Sequence, residues 1–215
     1  MGAIAVNALV LVDLQNDFMP GGALAVAEGH EVVAVANRLM PRFDVVIASQ
    51  DWHPADHLSF ASQHAGKRHG DEVEFDGMKQ TLWPDHGVAD TPGAALHASL
   101  DAAGIHHTIR KGTDRRSDSY SALFDSGRRA TGLDELLARL GVTDVYVMGL
   151  ATDYCVKQTA LDARSLGFNT YVITDGCRGV NLQPGDAERA LAELSAAGVR
   201  LVTEAEVSKL VNRMH

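Results

Sequence analysis

Residues 144–163 read DVYVMGLATDYCVKQTALDA: an apolar run of strand length, a polar turn that carries Cys155, then apolar positions at helical spacing. Val156, Thr159, Ala160, Ala163 and Leu166 fall on one helical face, which Gly167 ends. A strand that feeds a thiol into the turn before a helix is a unit of a parallel α/β sheet. Two distant runs end in a similar way. ALVLVD, residues 8–13, closes on Asp13, and IHHTIRK, residues 105–111, closes on Lys111. Ligands bind at the C-terminal edge of an open parallel sheet. An acid, an amine and a thiol gathered there point to covalent catalysis through sulfur.

The same alternation extends along the chain. Strands are predicted over Ala8–Asp13, Asp44–Ser49, His106–Arg110, Asp144–Gly149, Asn169–Thr174 and Arg200–Thr203. Their Val and Ile content without strict alternation suits a parallel sheet covered on both faces. Helices are predicted where Val32, Val35, Ala36, Leu39 and Met40 share a face before Pro41. A second stripe is Leu133, Leu136, Leu137 and Leu140, a third helix spans Ala187–Ala197, and Val207, Leu210 and Val211 mark a short last one. Residues 50–92 break the pattern, with many histidines and acids and both tryptophans. A loop of that length is functional or disordered, and Trp52, Phe60, Phe75 and Trp83 favour function.

At 215 residues the chain fits one domain, 1–215, with ample core. Its formal charge of -9 argues against nucleic acid and anionic membranes as partners. Two cysteines make no disulfide framework, so a reducing cytoplasm is expected. MGAIAVNALVLVDLQ lacks a basic start and is interrupted by Asn7 and Asp13, and it reads as a first strand rather than a leader or membrane span. Val6 stands where a myristoylation signal needs Ser or Thr. A homo-oligomer is left open.

Asp51 and His53 sit two apart in extended chain and can face one side; His86 lies on a loop able to fold back. One carboxylate and two imidazoles suit a divalent metal, zinc or ferrous iron, with manganese a further candidate. His57 is an additional ligand candidate. The pair alone reads more readily as histidines hydrogen-bonded in a polar loop. His64 and His69 read as surface residues.

Around the thiol, a helix N-terminus and Lys111 would both lower the Cys155 pKa. Asp13 would act as general acid–base, and N–H groups of the LATDYC turn as oxyanion donors. Asp13 with Lys111 also reads as a structural ion pair. Asp17 and Asp153 read as caps or turn formers, and Cys177 as packing. Phe18, Trp83 and Tyr120 are either core aromatics or walls for a flat apolar substrate.

LVDLQNDFMPGGALAV, ASQDWHPADHLSFAS, LWPDHG, RKGTDRRSDSYSALFD and VYVMGLATDYCVKQTALDA occur here in order and span most of the chain. With them the chain resembles the nicotinamidases of the isochorismatase-like cysteine hydrolase superfamily. The resemblance implies a three-layer doubly wound sheet of about six parallel strands with helices on both faces. It implies a catalytic Asp13–Lys111–Cys155 triad, and a metal on Asp51, His53 and His86 that orients a pyridine nitrogen. Phe18 and Trp83 would sandwich the ring, and Tyr120 would form another wall. A cis Leu150–Ala151 bond would turn the Ala151 and Cys155 amides into an oxyanion hole. The implied reaction is hydrolysis of nicotinamide, and of pyrazinamide, in NAD salvage. Relatives acting on ureidoacrylate, carbamoyl compounds or biuret do not need a metal that grips a pyridine ring. A non-catalytic binding protein would not need the intact triad. After His86, where many relatives read CVQGT, this chain reads GVADTPGAAL.

Overall fold

Six strands form one parallel sheet in the order β5-β2-β1-β6-β7-β8. They are β1 (Val6–Val12), β2 (Val45–Asp51), β5 (His107–Lys111), β6 (Val142–Leu150), β7 (Asn169–Arg178) and β8 (Arg200–Val202). The computed structural model describes residues 5–75 and 77–211. The parts of the leader, myristoylation and whole-chain readings that fall on Met1–Ile4, Asp76 and Asn212–His215 lie outside the described residues.

The central strands are buried on both faces: Ala8 to Val12, Val46 to Ala48 and Val145 to Met148 are each at most 1% exposed. This is why their sequences run apolar without alternation. Helices cover both faces of the sheet. Of these, α1 (Gly29–Leu39) and α5 (Glu204–Val211) pack on each other and on β7. α3 (Lys157–Ser165) packs on β6, β7 and α4 (Asp186–Ala196), and α2 (Leu133–Arg139) packs on β6. Val32, Val35, Ala36 and Leu39 of α1 and Leu133, Leu136 and Leu137 of α2 are buried as their spacing predicts. Leu166 departs from its predicted stripe and is 44% exposed. α3 ends at Ser165, so Leu166 stands beyond the helix as its C-cap. Among the described residues no helix is long and apolar enough to cross a membrane.

The order places β1 and β6 side by side, with the chain winding outward in both directions from them. Such a reversal opens a crevice beyond the strand ends. Residues 50–92 fold over that edge and contain an antiparallel hairpin, β3 (Glu72–Phe75) with β4 (Met78–Thr81). Neither four-residue strand carries an apolar run, so the hairpin has no strand signature in the sequence.

Candidate active site

Four neighbouring strands each bring one reactive side chain to the crevice. Lys111 ends β5, Asp51 ends β2, Asp13 follows β1, and Cys155 follows β6. Cys155 lies in a π-helical turn, Thr152–Val156, that leads into α3. The Leu150–Ala151 peptide before it is cis. Asp13 has a left-handed backbone, φ 52°, uncommon for a non-glycine residue and frequent at functional turns.

Lys111 is the hub. Its Nζ lies 2.9 Å from Asp13 Oδ2, 2.5 Å from Asp51 Oδ1 and 3.4 Å from Cys155 Sγ, and it donates to Ser119 O at 2.9 Å. Asp51 Oδ1, Ser119 O and the sulfur meet hydrogen-bond geometry from Nζ. Asp13 Oδ2 is therefore in ionic contact but has no aligned donor. Asp13 Oδ1 accepts the Ser49 hydroxyl at 2.6 Å. A carboxylate oxygen of Asp13, one of Asp51 and the sulfur all lie within 4.8 Å of one another. Asp13 Oδ2 is thus the open acceptor beside the thiol.

Burial raises the Asp13 carboxyl above its usual range, with Asp51 adding to the rise and Lys111 opposing it. Burial also pushes the Cys155 thiol well above its ordinary value; Lys111 pulls it down, but Asp13 and Asp51 push it further up. This corrects the expectation of a lowered thiol pKa. The sequence shows the helix start and the lysine, but not the desolvation or the two carboxylates. Burial would lower Lys111, yet Asp13, Asp51 and Cys155 together hold it well above the usual amine range. Asp51 is held well below the usual carboxylate range: burial works against this, and Lys111 with His53 outweighs it. The resting site thus keeps the proton on sulfur and the charge on lysine.

Asp51, His53 and His86 each offer a ligand atom, all within 4.8 Å of one another. His53 Nδ1 bonds Gly112 O at 2.8 Å, and His86 Nδ1 bonds Pro84 O at 2.7 Å. A carbonyl only accepts, so each Nδ1 carries a proton, and in the neutral ring each Nε2 turns a lone pair toward Asp51, 3.7 Å away in both cases. Carbonyl-anchored imidazoles are the usual surroundings of a metal site. One carboxylate with two such nitrogens fits a divalent cation of the zinc or iron kind. Gln15 fixes Asp51 by accepting from its N–H and donating to its C=O, both at 2.8 Å. The His57 ring stacks 4.4 Å from that of His53, and its Nδ1 bonds Ser59 Oγ at 2.7 Å.

Gly112 has φ 64°, and a Cβ there would stand 2.2 Å from His53 Cε1. Gly112→Ala should therefore displace His53. The expected loss of metal affinity is roughly 10–100-fold, as for lost outer-shell support, read by competition with a chelating indicator. Unchanged affinity would mean that His53 is not a ligand.

Phe18, Trp83 and Tyr120 line one slot with Cys155, Ala151, Asp51 and His86. The Trp83 indole N–H donates to Tyr120 Oη at 3.0 Å, and Phe18 meets His86 edge-on at 5.6 Å. The sequence reading missed Leu24, Asp118, Tyr154 and Val180 in this slot. Tyr154 precedes the thiol and meets Trp83 edge-on at 4.7 Å; burial pushes its hydroxyl up to about 12. Asp153 does not cap α3. It accepts the Val180 and Asn181 N–H groups at 2.9 and 2.7 Å and so fixes the loop carrying Val180. Asp17 accepts the N–H of Gly87, next to His86, at 2.9 Å. His64 is half-buried and bonds Leu58 O, whereas His69 is exposed, as expected. Cys177 is buried with its thiol on Ile173 O, consistent with packing.

Residues 7–206 match the isochorismatase domain family. The chain is 55% identical to the nicotinamidase of Escherichia coli (strain K12) over 205 residues, 93% of this chain and 96% of that one. The structure of the nicotinamidase/pyrazinamidase of Acinetobacter baumanii superposes with a TM-score of 0.91 at 42% identity, over 94% of this chain and 97% of that one. The pyrazinamidase of Pyrococcus horikoshii, solved in complex with zinc, superposes with a TM-score of 0.74 at 36% identity, over 92% and 98%.

Proposed function

We infer the chemistry from one premise: this chain belongs to the isochorismatase family, and within it acts as a nicotinamidase, hydrolysing nicotinamide to nicotinate and ammonia. The observation that carries the mechanism is the meeting of Cys155 Sγ and Asp13 at the buried Lys111 ammonium, with Cys155 lining the slot. The aromatic side chains of Phe18, Trp83 and Tyr120 line the slot and suit a planar aromatic amide.

Asp13 Oδ2 takes the thiol proton as sulfur attacks the carboxamide carbon. The raised proton affinity of Asp13 suits it to hold that proton and return it. Lys111 stays charged and offsets the negative charge that moves between sulfur and carboxylate. Asp13 then protonates the departing nitrogen, the C–N bond breaks, and ammonia leaves a thioester on Cys155. Water, deprotonated by Asp13, attacks the thioester; the C–S bond breaks, sulfur regains its proton and nicotinate departs. The backbone N–H groups of Ala151 and Cys155, which line the slot, would serve as the oxyanion donors.

A divalent cation on Asp51, His53 and His86 would supply a Lewis-acidic anchor for the pyridine nitrogen. The donor set and the zinc complex of the Pyrococcus relative support zinc as the ion. Both cysteines are free, which suits a reducing compartment such as the cytoplasm.

Ammonia release from nicotinamide tests the reading. Purified protein supplied with zinc should turn over, and chelation should reduce kcat/KM by on the order of 100-fold or more through lost ring binding, with zinc restoring it. No turnover with zinc, iron or manganese would refute the assignment. Full turnover in chelator would refute the metal's part in it.

A further inference from the structure

The slot holds a carboxylate that belongs neither to the Asp13–Lys111–Cys155 group nor to the Asp51–His53–His86 cluster. Asp118 is 4% exposed and lines the slot with Tyr120 and Cys155. Its Oδ1 accepts the Ser119 N–H at 2.7 Å, and its Oδ2 accepts the Gln80 side-chain amide at 2.8 Å. Gln80, itself buried, reaches in from β4, so the hairpin is what fixes Asp118. An Asp118 oxygen also lies within 4.8 Å of nitrogens of His53 and His57.

We propose that Asp118 sets the pocket's preference for a neutral carboxamide over the carboxylate product, and so promotes release of nicotinate. The proposal rests on the nicotinamidase reading. Substrate and product share a ring and differ in one group, an uncharged amide against an anion. The Lys111 ammonium and a divalent cation both attract that anion. Asp13 and Asp51 offset part of this attraction, and Asp118 supplies the third carboxylate that brings the pocket to formal neutrality. Without it every entering anion would meet net positive charge in a desolvated site where solvent screens little. Catalysis does not require Asp118 to touch the reacting atoms; its charge acts on the difference between two ligands.

The test uses zinc-loaded Cys155→Ala protein, which cannot turn over, titrated calorimetrically with nicotinate and with nicotinamide. Adding Asp118→Asn keeps the shape, and its amide oxygen can still accept from the Ser119 N–H or, with the amide turned, from the Gln80 side-chain N–H. Nicotinate should bind about tenfold more tightly, the scale of one removed charge at short range. Nicotinamide should shift by less than about threefold on the same grounds. Zinc content by elemental analysis should not change. Equal shifts for both ligands, no shift, or loss of zinc in Asp118→Asn would overturn the proposal. If the parent protein bound neither ligand, the nicotinamidase reading itself would fail, an outcome distinct from a failure of selectivity.

Discussion

Cys155→Ala should release no measurable ammonia from nicotinamide, a fall on the order of 10⁵-fold or more, as when a nucleophile acting in a concerted unit is removed. The substitution deletes one sulfur from a buried turn and leaves Asp51, His53 and His86 untouched, so metal content should equal that of the parent. Mass spectrometry of the parent quenched during turnover should show a nicotinoyl adduct on the peptide containing Cys155, absent from the variant. Turnover within tenfold of the parent would show that sulfur forms no intermediate here. The high proton affinity of the resting thiol sharpens the expectation. Burial and the neighbouring carboxylates favour the thiol over the thiolate, and Cys155 is 7% exposed, so general alkylating agents should label it slowly.

Lys111→Met should be the most destabilising single change at the site. The ammonium is the shared counter-ion of Asp13, Asp51 and the sulfur, and both carboxylate side chains are at most 5% exposed. Removing one member of a buried ion cluster typically costs about 3–5 kcal/mol, because the remaining charges stay desolvated and unpaired. Urea denaturation at neutral pH should register that loss together with loss of ammonia release. The pH dependence has a definite sign. The folded Lys111 pKa is raised above its usual 10.5, so the stability it contributes is fully present below about 10.5 and is lost only as pH rises through the folded value. In the variant the deficit should shrink on acidification, since Asp13 and Asp51 can then take protons. A midpoint equal to the parent's at pH 7 would show that Lys111 is not their principal partner.

The sheet was legible because its strands are buried on both faces, and such strands announce themselves as VI-rich runs. Asp13, Lys111 and Cys155 were legible because each follows such a run or ends it. Residues whose importance rests on contacts distant in sequence were not. Gln15 meets Asp51 across 36 positions, and Gln80 meets Asp118 across 38. Neither glutamine differs in local sequence from one on the surface. The same limit misled the reading of the thiol. A helix start and a lysine are visible within short stretches, whereas desolvation and the opposing carboxylates exist only after the chain has folded. Asp153 shows the converse: its place before α3 suggests a cap, but the loop after β7 offers it two N–H groups.

One residue at the C-terminal end of each of four adjacent strands, or just beyond it, makes the pleated backbone a ruler. Neighbouring strands stand about 4.8 Å apart, and ladder hydrogen bonds between β5, β2, β1 and β6 fix the rank of Lys111, Asp51, Asp13 and Cys155. Lys111 and Asp51 end their strands, Asp13 follows β1 directly, and the short π-helical turn after β6 carries Cys155. The connections that carry Phe18, Trp83 and Tyr120 can therefore vary to admit differently shaped amides while acid, amine and sulfur keep their intervals.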